Sequence, residues 1–144
     1  MTHEDALDTS AVPRLGLSLG SILAVGLGGA LGTLARYLLD ATIPTGSGHF
    51  PATTLLINLS GSLVIGFLVP LTDAVSDRFA LARPFLVVGF LGGWTTYSTL
   101  AVEAVLLGKG DHVGLAAGYL AASLVGGVAL VTLGAAAGRR VVAR

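Results

Sequence analysis

The segment spanning residues 85–107 is apolar and long enough to cross a bilayer, since a helical span needs about 20 such residues. Yet its middle carries Gly92-Gly93-Trp94 and then five hydroxyl-bearing residues, Thr95, Thr96, Tyr97, Ser98 and Thr99. An unpaired polar group in hydrocarbon costs several kcal/mol, so a plain anchor helix avoids such a run. Irregular or polar backbone at membrane depth is tolerated only where protein or a water-filled cavity surrounds it. This stretch therefore reads as the functional part of a membrane protein, which the rest of the chain must shield, pair with and orient.

Composition leaves room for that shield and little else. Of the 144 residues, 53% are hydrophobic and 11% charged, where soluble domains carry about 25% charged residues. Four spans fit, over about 16–39, 52–71, 85–107 and 113–137. The expected fold is an all-α membrane protein with a single four-helix domain at 16–138 and its third helix broken in the middle. A polar tail at 1–15 (Glu4, Asp5, Asp8) lacks the basic start of a signal peptide, so no cleavage is expected. A basic tail covers 139–144. No segment alternates over the length of a barrel strand. The chain has no cysteine, and its net charge of zero argues against a nucleic-acid partner. No nucleophile–base pair or metal cluster is present, and His3, His49 and His112 have no second ligand at metal spacing, so no enzyme is expected.

Within the spans, polar and small residues recur at helical spacing. Gly28, Gly32 and Arg36 share a face of the first span, a small-residue packing strip that ends in a cation. Thr54, Asn58, Gly61, Ser62 and Ile65 form a stripe on the second. Thr96, Thr99 and Glu103 follow one another on the third, and Tyr119 and Ser123 lie one turn apart on the fourth. Residues 40–51 and 108–112 read as loops, and Gly138-Arg139-Arg140 as the stop of the last helix. Arg14, Arg78, Arg83, Arg139, Arg140 and Arg144 fall on one side of such a bundle, with Lys109, and Arg36 where it reaches the interface, on the other. The positive-inside rule then puts both termini in the cytoplasm of a multi-pass protein of the cell inner membrane.

Three segments together resemble the Fluc (CrcB) family of small fluoride channels. They are Gly28-Gly29-Ala30-Leu31-Gly32-Thr33-Leu34-Ala35-Arg36-Tyr37, Thr54-Leu55-Leu56-Ile57-Asn58-Leu59-Ser60-Gly61-Ser62 with Gly66, and the run from Gly89 to Thr99. The Gly-Phe-Leu-Gly-Gly-x-Thr-Thr-aromatic-Ser-Thr run is the most specific, and the four-span layout matches too. The resemblance implies an antiparallel, dual-topology dimer with two fluoride pores along the subunit interface. It implies a structural sodium ion at the dimer centre, held by the backbone carbonyls of Gly92 and Thr95. It also implies pore lining by Asn58, Thr96, Thr99, Glu103 and Ser123, and aromatic rings at two positions whose positive edges face the anion. The first ring corresponds to Tyr97. The second falls at Leu100, where the family usually has phenylalanine, so one edge contribution is missing. Leu100 and the charge bias together point to a heterodimer with a homologous subunit of opposite orientation; a homodimer with weakened pores is the other option.

The residues alone leave plainer readings open. Asn58 and Ser123 could serve helix packing, and Thr96, Ser98 and Thr99 could bond back to their own helix. Glu103 could snorkel to the interface, Arg36 could be an interface anchor or a vestibule cation, and Tyr119 reads as packing or an interfacial anchor. The leading function is passive, selective export of cytoplasmic fluoride across the bilayer, which lowers fluoride toxicity. The alternatives are a small multidrug-type transporter, against which stands a first span without Asp or Glu, and a non-conducting partner subunit.

Overall fold

The computed structural model describes residues 18–43 and 49–144. The tail expected at 1–15 and residues 44–48 of the first loop lie outside the described residues. Within them the chain is helical throughout, and four helices are long and apolar enough to cross a membrane.

The first helix, α1, runs from Leu19 to Thr42. Ser18 caps it by accepting a hydrogen bond from the Ser21 N–H at 3.1 Å. The helix continues past Asp40, where the sequence suggested a loop, and ends at Ile43, the residue before Pro44. That is where proline sterics disfavour helical backbone. α2 (Ala52–Ala74) runs through Pro70 and extends beyond the span expected at 52–71. Its Thr72 hydroxyl bonds the carbonyls of Leu68 and Val69 on the turn that proline disturbs.

The third span, Arg83–Lys109, expected to be broken in the middle, is instead joined and bent. Its first part, α3, is a wide π-helical stretch over Arg83–Leu91 with Pro84 in its opening turn, continued by a helical turn at Gly92–Trp94. Thr95 (φ −75°, ψ 154°) and Thr96 (φ −145°, ψ 118°) then take extended backbone, and α4 follows over Tyr97–Lys109. α5 (Val113–Val142) carries on through Gly138-Arg139-Arg140, which the sequence read as a stop. Gly138 serves close packing there, facing the Phe67 carbonyl, and the two arginines complement the carbonyl end of the helix.

Two helix pairs dominate the packing, α1 with α3 and α2 with α5. In lipid there is little hydrophobic drive between helices, so association depends on close van der Waals contact. Glycines provide it. A side chain at Gly28 would strike the Phe85 carbonyl, and one at Gly32 the Phe90 carbonyl. From the other helix, Gly89 faces the Val25 carbonyl and Gly93 the Gly29 carbonyl. Between α2 and α5, Gly66 faces the Val131 carbonyl and Gly134 the Leu63 carbonyl. Few side chains are fully enclosed, Ile57 and Tyr119 chief among them, while Leu19, Leu27 and Leu133 point outward as a lipid-solvated surface requires.

Gly134→Ala is expected to lower stability by about 1–3 kcal/mol, the range for forcing a group into a packed interface. Gly114→Ala meets open space and is expected to be neutral or stabilising by up to about 1 kcal/mol. Equal unfolding midpoints for the two variants in mixed micelles would contradict the close backbone approach.

Candidate functional site

The bend removes backbone hydrogen bonds in the middle of a span, and the fate of each freed group defines the site. The Thr96 N–H donates to Asn58 Oδ1 at 2.8 Å, and Asn58 Nδ2 donates back to the Thr96 carbonyl at 2.9 Å. One amide side chain on α2 thus pairs with both backbone groups of one extended residue, as a neighbouring strand would. The Gly93 carbonyl accepts from Arg36 Nε on α1 at 3.1 Å. The Thr96 hydroxyl caps α4 by accepting from the Thr99 N–H at 3.2 Å and donates to the Thr99 hydroxyl at 3.0 Å. Ser98 lies 3.3 Å from the same oxygen. Thr95 bonds the Leu91 carbonyl with both its N–H and its hydroxyl. The carbonyls of Gly92, Trp94 and Thr95 are left without a donor among the described residues.

Beside the bend lies an open groove of about 450 Å³. Asn58, Thr96, Tyr97, Leu100 and Ser123 line it, so five of the seven residues that the resemblance assigns to the pore meet on one surface. Gly61, Ser62 and Thr95 extend its polar side, and Leu124, Val128 and Val131 of α5 form an apolar wall. Gly61 lets the bend approach, because a side chain there would meet the Thr95 methyl group. Tyr97 is 82% exposed, with its ring on the open side of the groove. Ser123 donates its own proton to the Tyr119 carbonyl one turn back and offers the groove an oxygen.

Glu103 and Thr99 do not line this groove. Glu103 belongs to a second cluster one step along α4 and α5. Its Oε1 accepts from the Thr54 hydroxyl at 2.9 Å, and its Oε2 from the Tyr119 hydroxyl at 2.7 Å. Thr54 and Tyr119 are buried, and Phe50 meets the Tyr119 ring edge-on at 5.7 Å between centroids. In this arrangement Glu103 is held between two hydroxyls inside the bundle rather than reaching out along the surface.

Sequence reasoning gave Tyr119 no part in the site. Its position one turn before Ser123 was the available signal, because a tyrosine hydroxyl enclosed in a span must find a partner. Ser60 was missed as well: it accepts from the Trp94 indole at 3.1 Å and holds that ring beside the bend. Among the described residues no cluster of His, Asp or Glu could hold a metal. The unpartnered carbonyls of Gly92 and Thr95 are the oxygens of the right kind for a hard cation.

Asn58→Leu leaves the Thr96 N–H and carbonyl unpaired in a buried setting, at about 1–3 kcal/mol for each group. The variant is expected to unfold at clearly lower denaturant than the parent, and an unchanged midpoint would contradict the two-point pairing.

The matches to known proteins cover this same region. Residues 23–135 match the family model described as CrcB-like protein, Camphor Resistance (CrcB). The chain is 43% identical over 132 residues to a Streptomyces avermitilis protein named Fluoride-specific ion channel FluC 3, covering 91% of this chain and 64% of that one. It thus spans somewhat under two thirds of that relative's length. It is 42% identical over 118 residues to Fluoride-specific ion channel FluC 2 of Nocardia farcinica, covering 82% of this chain and 84% of that protein. It is 44% identical over 113 residues to Fluoride-specific ion channel FluC of Chlorobium luteolum, covering 78% and 88%. With four spanning helices and these relatives it is a multi-pass membrane protein, and the chain belongs to the CrcB-like family.

Proposed function

We propose that this chain is a fluoride-selective channel subunit through which fluoride leaves the cytoplasm passively. The observation that carries the reading is the groove at the bend, where Asn58, Thr96, Tyr97, Leu100 and Ser123 converge in a chain whose relatives are named fluoride-specific ion channels. A small, strongly hydrated anion gives up water only where amide and hydroxyl donors or positive ring edges replace it. Hydrogen fluoride crosses bilayers and dissociates inside, so a pathway for the anion lets the membrane potential drive it out. No nucleotide or proton-coupling site is required.

The groove is open along one side and exposes the Tyr97 ring. That supports a pathway closed by a second subunit, and the family resemblance makes that subunit an antiparallel copy or homologue. The reading places both termini in the cytoplasm, following the arginine bias. The unpartnered carbonyls of Gly92 and Thr95, with Gly92 exposed, fit a sodium ion shared between two such subunits. A cation there would offset the cost of anions in a low-dielectric pore. Leu100 stands in the groove without a ring quadrupole, which keeps both a homodimer with a weakened pore and a heterodimer in play.

A multidrug-type transporter needs a carboxylate embedded in the first span. The one acid on α1, Asp40, sits in its last turn, and Glu103 is bonded to Thr54 and Tyr119 on other helices. The geometry offers that alternative no exchange site.

Fluoride efflux from liposomes holding the purified chain, read with a fluoride electrode and with chloride as control, tests the reading. Fast, chloride-silent efflux is expected, either from the chain alone or after adding a homologue of opposite orientation. Absence of efflux under both conditions would refute it. Where the chain conducts alone, Leu100→Phe is expected to speed efflux by a factor of roughly two to ten, the worth of one ring-edge contact.

A further inference from the structure

The geometry points to Arg36 as a positioning residue that acts through its Nε–H on the Gly93 carbonyl rather than through its charge. This rests on the proposed cation site at the bend. Gly92 and Gly93 are adjacent glycines just before the extended pair, so they have the greatest backbone freedom in the span. In a continuous helix the Gly93 carbonyl would accept from the Tyr97 N–H; the bend withdraws that donor. Arg36 Nε stands in for it at 3.1 Å, half-buried. The bond fixes the peptide between Gly93 and Trp94, which is joined through the Gly93 Cα to the peptide that carries the free Gly92 carbonyl, and so restrains the direction in which that carbonyl points.

The surroundings favour this role. Gly32, one turn before Arg36, lies against the Phe90 carbonyl and the Trp94 N–H, and Gly93 lies against Gly29 and Thr33. α1 therefore touches the bend along its length, and a side chain of modest reach arrives at Gly93. No carboxylate pairs with Arg36 among the described residues, so its charge is not committed to another element.

Two substitutions separate the bond from the charge. In glutamine, Nε2 hangs from Cδ where the arginine Nε does, so Arg36→Gln keeps the donor and removes the charge. In lysine a methylene takes that place, so Arg36→Lys keeps the charge and displaces the donor. Trp94 is the only tryptophan and follows Gly93 directly, so its emission reports the bend. In the full chain reconstituted in nanodiscs, Arg36→Gln is expected to keep the parental emission maximum and the sodium concentration that half-stabilises the protein against heat. Arg36→Lys is expected to shift the emission and raise that concentration about tenfold, as loss of one hydrogen bond to a charged group implies. Any other pattern, equal loss in both variants included, overturns the proposal.

Should either variant fail to fold, the unmodified protein gives the answer. With nitrogen-15 arginine, the Arg36 Nε–H is expected to exchange slowly with water, and rapid exchange overturns the proposal. A parent protein indifferent to sodium would remove the cation reading, while the exchange measurement would still decide the bond.

Discussion

A bent backbone at membrane depth must have its polar groups satisfied from elsewhere in the protein, and the arrangement of the other helices follows from that. Hydrocarbon offers no donors or acceptors, so an N–H or carbonyl freed in the third span depends on protein side chains, or on a polar cavity, for its partner. Asn58 on α2 answers both groups of Thr96, and Arg36 on α1 answers Gly93. Both side chains act across interfaces where the helices lie close together. The glycines at 28, 32, 61, 89 and 93 bring α1 and α2 onto the bend. Packing and polar satisfaction are thus one requirement here: a methyl group added at Gly32 or Gly61 would push away the helix whose side chain holds the bend.

The same arrangement sets two polar clusters beside α5. Ser123 faces the groove and bonds the Tyr119 carbonyl, and Tyr119 in turn donates to Glu103, which also holds Thr54. Groove and buried cluster therefore sit one helix turn apart on α5. Opposite lies an apolar wall of Leu124, Val128 and Val131. The exposed Tyr97 ring and the open side of the groove leave the proposed second subunit to complete the enclosure.

Much of this was legible in the sequence, for identifiable reasons. Residue spacing placed Asn58, Gly61 and Ser62 on one face of α2, and α2 does present that face to the groove. The small-residue strip of Gly28 and Gly32 was readable because three- and four-residue spacing puts both on one side of a helix. Helix ends were less legible. Gly138-Arg139-Arg140 looked like a stop, yet Gly138 is a contact with Phe67, a distinction that needs the partner helix in view. Pairings between spans were the least legible. Nothing in the order of residues says that Tyr119 reaches Glu103, or that Trp94 reaches Ser60, because those bonds depend on how α4 and α2 are rotated. Thr96 shows a related limit: its hydroxyl was read as pore lining or back-bonding, and in the fold it lines the groove and caps α4 at once.

At the bend the carbonyls of Gly93 and Thr96 are tied by side chains, while those of Gly92 and Thr95, without a donor among the described residues, are the proposed cation ligands. Solid-state NMR of the protein in lipid, with carbon-13 at the glycine and threonine carbonyls, tests this assignment most directly. On replacing potassium by sodium, the Gly92 and Thr95 signals are predicted to shift while those of Gly93 and Thr96 stay in place. Signals that all stay fixed, or all move together, would contradict it.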